Sequence, residues 1–119
     1  MGQNKRMEGS RYEQLAARYL EQKGMDVLEL NYRCRTGEID IIARDGGYLV
    51  FVEVKYRRDD KMGNPKEAVN RKKQKKISMT ASYYLMRECG RMDIPCRFDV
   101  AAVLGEQIEV VKNAFEYLP

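Results

Sequence analysis

Histidine is absent from this chain of 119 residues. Without histidine the protein cannot build a Ser–His or Cys–His dyad, a histidine general base or a His–Cys zinc site. Cysteine is scarce as well, and no Cys-x-x-Cys pair occurs among Cys34, Cys89 and Cys96. We interpret these three as free, small, partly buried thiols in a reducing compartment, with a joint redox or metal role for Cys34 and Cys96 as the alternative.

Long apolar stretches are missing too. No run of about eighteen apolar residues occurs, and the N-terminus has no basic and apolar leader, so we expect neither a membrane span nor a secretory signal. The cytoplasm is the expected compartment. The length fits one domain, and no linker is visible, so we expect a flexible leader over residues 1–8 and a single domain over residues 9–119.

Two strongly apolar segments, residues 38–43 and 49–55, stand on either side of Asp45-Gly46-Gly47-Tyr48. A Gly-Gly pair between such segments predicts a two-residue hairpin turn, because primed turns need positive φ. In that register Asp40 faces Glu53, Glu38 faces Lys55 and Ile42 faces Phe51. A three-residue turn would move Asp40 and Glu53 to opposite faces. The other face of the hairpin is predicted to be wholly apolar, with Ile39, Ile41, Ala43, Val50, Val52 and Val54.

The predicted pairing of Asp40 with Glu53 is electrostatically unfavourable. Two carboxylates about 4 Å apart repel by about 4 kcal/mol at an effective dielectric constant near 20. A divalent cation relieves that repulsion, and Mg²⁺, with Mn²⁺ as a substitute, prefers carboxylate oxygens and leaves room for phosphate. Lys55 on the same face is placed to stabilise charge on a phosphate or to orient a water. The alternative is that Lys55 neutralises Glu53 or Glu38 and no metal binds.

The rest of the chain predicts helices on both sides of this hairpin. A capping box at Ser10 and Glu13 begins the first helix, which Gly24 ends, and a second capping box at Asn64 and Glu67 begins a helix that runs toward Gly90. Strands are predicted over residues 27–30, 38–56 (the hairpin), 97–104 and 107–112. The order α-β-β-β-α-β-β indicates the α/β class, with a mixed sheet of about five strands flanked by helices.

An Asp followed by Glu-x-Lys on adjacent strands resembles the signature of the PD-(D/E)xK nuclease superfamily. The motifs here are Gly37-Glu38-Ile39-Asp40 and Phe51-Val52-Glu53-Val54-Lys55. Nearly the whole chain is similar to the uncharacterised bacterial YraN-like family, which in turn resembles archaeal Holliday-junction resolvases. This second resemblance also rests on Gly9, Glu13, Asn31, Arg33, Gly63, Pro65 and the segment Arg97-Phe98-Asp99-Val100.

The resemblance implies a restriction-endonuclease-like core and a magnesium-dependent endonuclease, and the analogy with the resolvases implies a homodimer. It implies that Asp40 and Glu53 bind the metal, that Lys55 is the catalytic lysine and that Glu13 completes the site. The alternative for Glu13 is that it only closes the capping box with Ser10. The proline that the superfamily often has before the Asp is replaced by Ile39. Gln74 stands roughly where some relatives have a supporting polar residue.

Cations are concentrated near the predicted hairpin ends and at the start of the second long helix. The net charge is +4 and the pI is about 9.0, which permits binding to a polyanion. We expect these side chains to contact nucleic-acid phosphates, with a solvated helix face as the alternative for the helical ones. They are Arg33, Arg35, Arg57, Arg58, Arg71, Lys72, Lys73, Lys75 and Lys76.

Three functions fit these observations. The first is a metal-dependent endonuclease that hydrolyses phosphodiester bonds in branched or structured DNA, in recombination or repair. The second is a catalytically weak nuclease fold that binds nucleic acid together with a partner. The third is a scaffold without a nucleic-acid partner, whose binding would respond little to salt. Asp99 is predicted either to form a structural ion pair or to support the residues of the site from behind them.

Overall fold

The computed structural model describes residues 3–57 and 69–119, with side chains from residue 11 onward. Arg58, Gly63 and the predicted capping box at Asn64 and Glu67 lie outside the described residues. The predicted boundary between a leader and a domain at residue 9 stays a prediction.

The described elements follow the predicted order. Two helices, α1 and α2, and five strands, β1 to β5, make up the fold, and a π-helical segment over Leu85–Cys89 continues α2. The bounds are α1 Gln3–Gln22, β1 Asp26–Cys34, β2 Gly37–Asp45, β3 Tyr48–Arg57, α2 Arg71–Tyr84, β4 Cys96–Leu104 and β5 Gln107–Phe115. None of the helices in this part of the chain is long and apolar enough to cross a membrane.

All five strands form one mixed sheet in the order β1-β2-β3-β4-β5. The pairs β1–β2, β2–β3 and β4–β5 are antiparallel, whereas β3 and β4 are parallel. A parallel pair requires a crossover connection, and α2 lies in that connection. Asp45 pairs with Tyr48 and Ile42 with Phe51, so the two-residue turn and its register are confirmed.

The sheet has a hydrophobic core on each face. On one face Ile41, Val50 and Val52 pack with Ala16 and Leu20 of α1. On the other face the aromatic side chains of the sheet pack with α2; they include Tyr32, Phe51, Phe98 and Phe115, next to Ile77, Ala81 and Tyr84. Each helix therefore covers one side of the hairpin.

Ile39 is the exception to the predicted alternation of β2. It was expected to share a face with Ile41, but it belongs to the core on the α2 side together with Ile42. Strict alternation would place residues 39 and 42 on opposite faces. The side-chain alternation of β2 is therefore broken around Asp40.

Helix α1 begins earlier than predicted, at Gln3 instead of at Ser10. The residues before Ser10 have no apolar periodicity to indicate a helix, but they contain no proline to prevent one. A capping box needs its Glu in the first helical turn, and Glu13 lies well inside α1. The capping interpretation of Glu13 is therefore wrong.

Strands β1 and β5 are both longer than predicted. The strand predicted over residues 27–30 continues to Cys34 through Asn31, whose φ is 54°. Strand β5 continues to Phe115 through Asn113, which also has a φ of 54°. Asparagine tolerates the left-handed region better than most residues, so the strands pass through positions that the sequence pattern assigns to a connection or to the chain end.

Candidate functional site

The candidate site lies where β2 and β3 separate. The two strands pair from the turn as far as Ile41 and Val52. Beyond that point β2 and β3 no longer pair with each other in the described residues. Each keeps its outer neighbour: β2 pairs with β1, through Ile39 and Tyr32, and β3 pairs with β4, through Glu53 and Val100. We call this opening, bounded by Asp40 on β2 and residues 53–57 on β3, the strand fork.

The Asp40 side chain lies at the start of the strand fork. The backbone N–H of Val54 donates a hydrogen bond to Asp40 Oδ2 at 2.8 Å. In a regular antiparallel ladder that N–H would donate to the carbonyl oxygen of Ile39. The carboxylate therefore takes the place of a backbone acceptor, and this fixes its position relative to β3.

Asp40 and Glu53 lie together, as the hairpin register predicted. The Glu53 carboxyl lies close enough for its charge and hydrogen bonding to act on the Asp40 carboxyl. Glu53 is only 6% exposed. Burial, and then the charge of Glu53, raise the pKa of Asp40 to about 8. Two acids held this closely are a frequent feature of functional sites.

Glu13 and Glu38 extend this pair to four acids. One carboxylate oxygen from each of Glu13, Glu38 and Asp40 lies within 4.8 Å of the other two. Burial raises the pKa of Glu13, although a hydrogen bond from the side chain of Asn31 opposes that effect. Glu13 Oε2 is buried and has no hydrogen-bond partner among the described residues. A buried oxygen in that state is rare in proteins, and this one can accept a hydrogen bond or bind a cation.

Two lysines contact Glu53 from different elements. Lys55 Nζ, on β3, lies 3.5 Å from Glu53 Oε2, and Lys73 Nζ, on α2, lies 3.1 Å from the same oxygen. Burial lowers the pKa of Lys73, but the charge and hydrogen bond of Glu53, together with the charges of Asp40 and Glu38, outweigh that effect and the pKa lies above its usual value. The ion pair expected in the metal-free alternative is therefore present, with Lys73 as an additional partner.

Two hydrogen bonds fix the start of α2, the helix that carries Lys73. Asn70 caps α2, and its side-chain oxygen accepts a hydrogen bond from the backbone N–H of Lys73 at 2.8 Å. Gln74 Nε2 donates to the carbonyl oxygen of Val69 at 2.8 Å. The Gln74 side chain therefore stabilises the start of the helix. The α2 residue that contacts an acid of the site is Lys73.

A cleft of about 320 Å³ opens at the strand fork. Lys73, Lys76 and Ile77 of α2 line it opposite the acids Glu38, Asp40 and Glu53. A second cleft of about 490 Å³ shares part of this wall and continues along the β1–β2 turn. It is lined by Arg33, Cys34, Arg35, Thr36, Gly37, Glu38 and Lys76.

Gly37 lines both clefts and lies against Thr80 of α2. Its φ is 152°, and a Cβ added there would lie 3.3 Å from Thr80 Oγ1. That hydroxyl is hydrogen-bonded to Thr36 Oγ1 at 2.9 Å. The position favours glycine on both grounds, which is a physical reason for the first residue of the Gly37-Glu38-Ile39-Asp40 motif.

The predicted cationic residues do not form one surface. Lys73 and Lys76 line the cleft with the acids, and Arg33 and Arg35 line the second cleft. Arg33 Nε donates to Glu38 Oε2 at 2.7 Å. The other described cations lie elsewhere: Arg57 is buried at the end of β3, and Arg71, Lys72 and Lys75 are exposed on α2.

The sequence patterns did not predict that three residues lie at the site: Glu38, Lys73 and Asn31. Glu38 was expected to face Lys55, but the pairing of β2 with β3 ends at Ile41 and Val52, so that pairing was wrong. At this position β2 pairs with β1, through Glu38 and Arg33. Lys73 was expected to contact phosphate, and its proximity to Glu53 depends on how α2 packs on the sheet.

Asp99 is not part of the strand fork. It is fully buried, and Arg97 holds both of its oxygens at 2.9 and 3.0 Å. The backbone N–H of Asn113 donates to it at 2.9 Å, beside the register irregularity between β4 and β5. Arg97 also contacts Asp45 at 2.9 Å, at the hairpin turn. Of the two predicted roles, the structural ion pair is confirmed.

Comparison with known proteins places the chain beside proteins of one family. Residues 12–103 match the model of the family described as "Uncharacterised protein family UPF0102". A UPF0102 protein of Lachnoclostridium phytofermentans is 52% identical, over 95% of this chain and 96% of that relative. A UPF0102 protein of Syntrophus aciditrophicus is 54% identical, over 98% and 93%. The UPF0102 protein YraN of Salmonella arizonae is 46% identical, over 90% and 82%.

Proposed function

We propose, from the premise that this chain belongs to the uncharacterised protein family UPF0102, that the strand fork is the active site of a divalent-cation-dependent endonuclease. The expected YraN-like membership is confirmed, whereas membership of the PD-(D/E)xK superfamily is part of the proposal. The observation that carries it is the convergence of Glu38, Asp40 and Glu53 on one cleft that Lys73 and Lys76 also line, with Glu13 beside Glu38 and Asp40.

The residues of the strand fork fit a hard divalent cation. All four acidic side chains offer oxygen donors, which Mg²⁺ and Mn²⁺ prefer over softer ligands. The buried Glu13 Oε2 lacks a partner among the described residues, and a cation would supply one. Asp40 and Glu53 would hold the cation as predicted, with Glu13 and Glu38 beside them. When bound, such a cation lowers the pKa of a water and neutralises charge on a phosphate oxygen.

The chain's own side chains then have distinct roles. Phosphodiester hydrolysis joins a water oxygen to phosphorus and breaks the bond to one sugar oxygen, which gains a proton as the water loses one. Lys55 and Lys73 place ammonium groups beside Glu53, where they can donate hydrogen bonds to the phosphate oxygens as negative charge increases. Glu53 orients both lysines. Asp40 must release its proton before it can serve as a ligand.

The proposed substrate is DNA with a branched or distorted structure, cut in recombination or repair. This part of the proposal rests on the resemblance to the Holliday-junction resolvases. The cleft along the β1–β2 turn supports it, because Arg33, Arg35 and Lys76 border a path that leads away from the acids. Such contacts position a phosphate backbone without reading its sequence. A homodimer is proposed by the same analogy, since a junction is resolved by two cuts.

The test is cleavage of Holliday-junction and flap DNA with Mg²⁺ or Mn²⁺ by the wild type and by Asp40→Asn. We expect cleavage by the wild type and its loss in Asp40→Asn, which keeps the size of the side chain. Asp26→Asn is the matched control, because Asp26 is an exposed acid at the start of β1, outside the strand fork. Equal cleavage by the wild type and Asp40→Asn would refute the assignment.

A second function, binding of nucleic acid without cleavage, is favoured by one observation. Glu53 is already neutralised by two lysines, so its charge is balanced without a cation. Wild-type binding that falls steeply with ionic strength, without any cut strand in Mg²⁺ or Mn²⁺, would support this second function. Binding that barely responds to salt would instead favour a scaffold.

A further inference from the structure

Two tyrosines with tilted rings in contact border the strand fork on its α1 side. The rings of Tyr12, on α1, and Tyr56, on β3, have centroids 4.3 Å apart and an interplanar angle of 31°. Each tyrosine is the sequence neighbour of a residue of the candidate site, since Glu13 follows Tyr12 and Lys55 precedes Tyr56. Tyr56 is 47% exposed. The ring pair therefore lies beside the site and is partly open to solvent.

The two sides of the strand fork differ in chemistry. Successive side chains of β3 point to opposite faces, so Tyr56 lies on the α1 face with Val50 and Val52, whereas Lys55 lies on the α2 face with Glu53. The α2 side contributes Lys73 and Lys76 to the cleft. One side is thus aromatic and the other is cationic. A nucleotide has the same two parts, a flat base and a charged phosphate.

We infer that the Tyr12–Tyr56 ring pair stacks on an unpaired nucleobase while the neighbouring phosphate occupies the strand fork. The inference rests on the proposed function and narrows its substrate to nucleic acid with an unpaired nucleotide next to the bond that is cut. Bases inside a duplex have both faces covered by their neighbours, so an aromatic side chain can stack only on a base that is flipped out, unpaired or at an end.

The test measures equilibrium binding in Ca²⁺, so that it does not depend on cleavage. The probes are a fluorescently labelled single-stranded oligonucleotide, a flap and a blunt duplex. We expect Tyr56→Ala to weaken binding to the single strand and the flap about tenfold, the size of one base–aromatic stack, and duplex binding less than twofold. Tyr56→Phe keeps the ring and should bind like the wild type.

Tyr48→Ala is the matched control. Tyr48 lies on the same face of β3, at its other end, and is 49% exposed. Its replacement should change binding to each probe less than twofold. A thermal melt of each variant shows whether it is folded. If Tyr56→Ala does not fold, Tyr56→Leu, which keeps apolar volume but removes the ring, replaces it in the same assay.

Photocrosslinking gives an independent readout on the wild type. A 5-iodouracil at the unpaired position of the flap should form an adduct with Tyr12 or Tyr56. Adducts on other parts of the chain, or equal weakening of single-strand and duplex binding by Tyr56→Ala, would overturn the inference. Cleavage that Asp40→Asn abolishes would still stand in that case. Binding that depends on the ring of Tyr56, without cleavage of any probe, would support the inference about the ring pair and refute the proposed nuclease activity.

Discussion

Asp40 is a half-buried acid beside a second acid, Glu53, and this makes the folded state sensitive to pH. Its folded pKa of about 8 lies well above the value of about 4 in an unfolded chain. At pH values between these two pKa values, the folded state binds more protons than the unfolded state. The contribution of Asp40 to stability is therefore complete below about pH 4 and is lost as the pH rises through about 8.

We predict that the wild type, in EDTA, loses thermal stability between pH 6 and pH 9 relative to Asp40→Asn, which cannot ionise. A relative loss of 1 kcal/mol lowers the Tm of a domain of this size by about 4 °C. Mg²⁺ at pH 8.5 should restore the wild type and not the variant, because the cation replaces the proton. If the Tm values of the two proteins change with pH in parallel, the pKa of Asp40 is not raised in the folded state.

The two lysines beside Glu53 should contribute unequally to catalysis. We predict that Lys55→Ala lowers kcat about 100-fold with little change in KM, as expected when a group acts on charge that develops in the transition state. Lys73→Ala should lower kcat about tenfold, because that side chain is 47% exposed and its charge is screened. Lys23→Ala, just beyond the C-terminal end of α1, is the control. An unchanged kcat in both site variants would remove the lysines from the mechanism.

At the scale of elements, α2 depends on one cap for its start. Asn70→Ala removes the oxygen that accepts from the N–H of Lys73, and we predict a loss of about 1 kcal/mol in the free energy of unfolding. Asn70→Asp keeps a cap and adds a negative charge at the positive end of the helix, so it should retain stability. Urea denaturation of the three proteins measures the difference. If Asn70→Ala is as stable as the wild type, the cap does not hold the helix start.

The elements also show what the sequence could predict. The Gly46-Gly47 turn sets the register of the hairpin, because turn length alone decides which residues face each other, and this predicted the meeting of Asp40 with Glu53. The positive φ of Asn31, with which β1 continues to Cys34, and the broken alternation around Asp40 have no signal in the apolar pattern. The longer β1 pairs Arg33 with Glu38, and the broken alternation places Ile39 in the other core.

Contacts between distant elements were less predictable than the elements themselves. Lys73 meets Glu53 only because α2 packs across the sheet face that carries Phe51, and a cluster of lysines at a helix start gives no indication of which one points inward. Glu13 was identified through the family resemblance. Its placement inside α1, and not at the cap, became clear only from the helix bounds.

At the scale of the whole molecule, the cations that line the clefts should make nucleic-acid binding dependent on salt. We predict that the logarithm of the affinity falls linearly with the logarithm of the salt concentration, and that Arg35→Ala reduces the slope by about 1. Arg35 is exposed, and no ion pair of it occurs within the described residues. Arg18→Ala, an exposed arginine of α1, should leave the slope unchanged. Equal slopes for the wild type and Arg35→Ala would exclude a phosphate contact there.

The strand fork has a consequence for the dynamics of the two helices. Elsewhere the sheet separates them, but at the fork Glu13 of α1 and Lys73 of α2 both interact with the acids of β2 and β3. A divalent cation seated there would tie one layer of the molecule to the other. We therefore predict that Mg²⁺ slows amide hydrogen–deuterium exchange in α1 and α2 together, whereas protection of one helix alone would indicate a ligand on a single face.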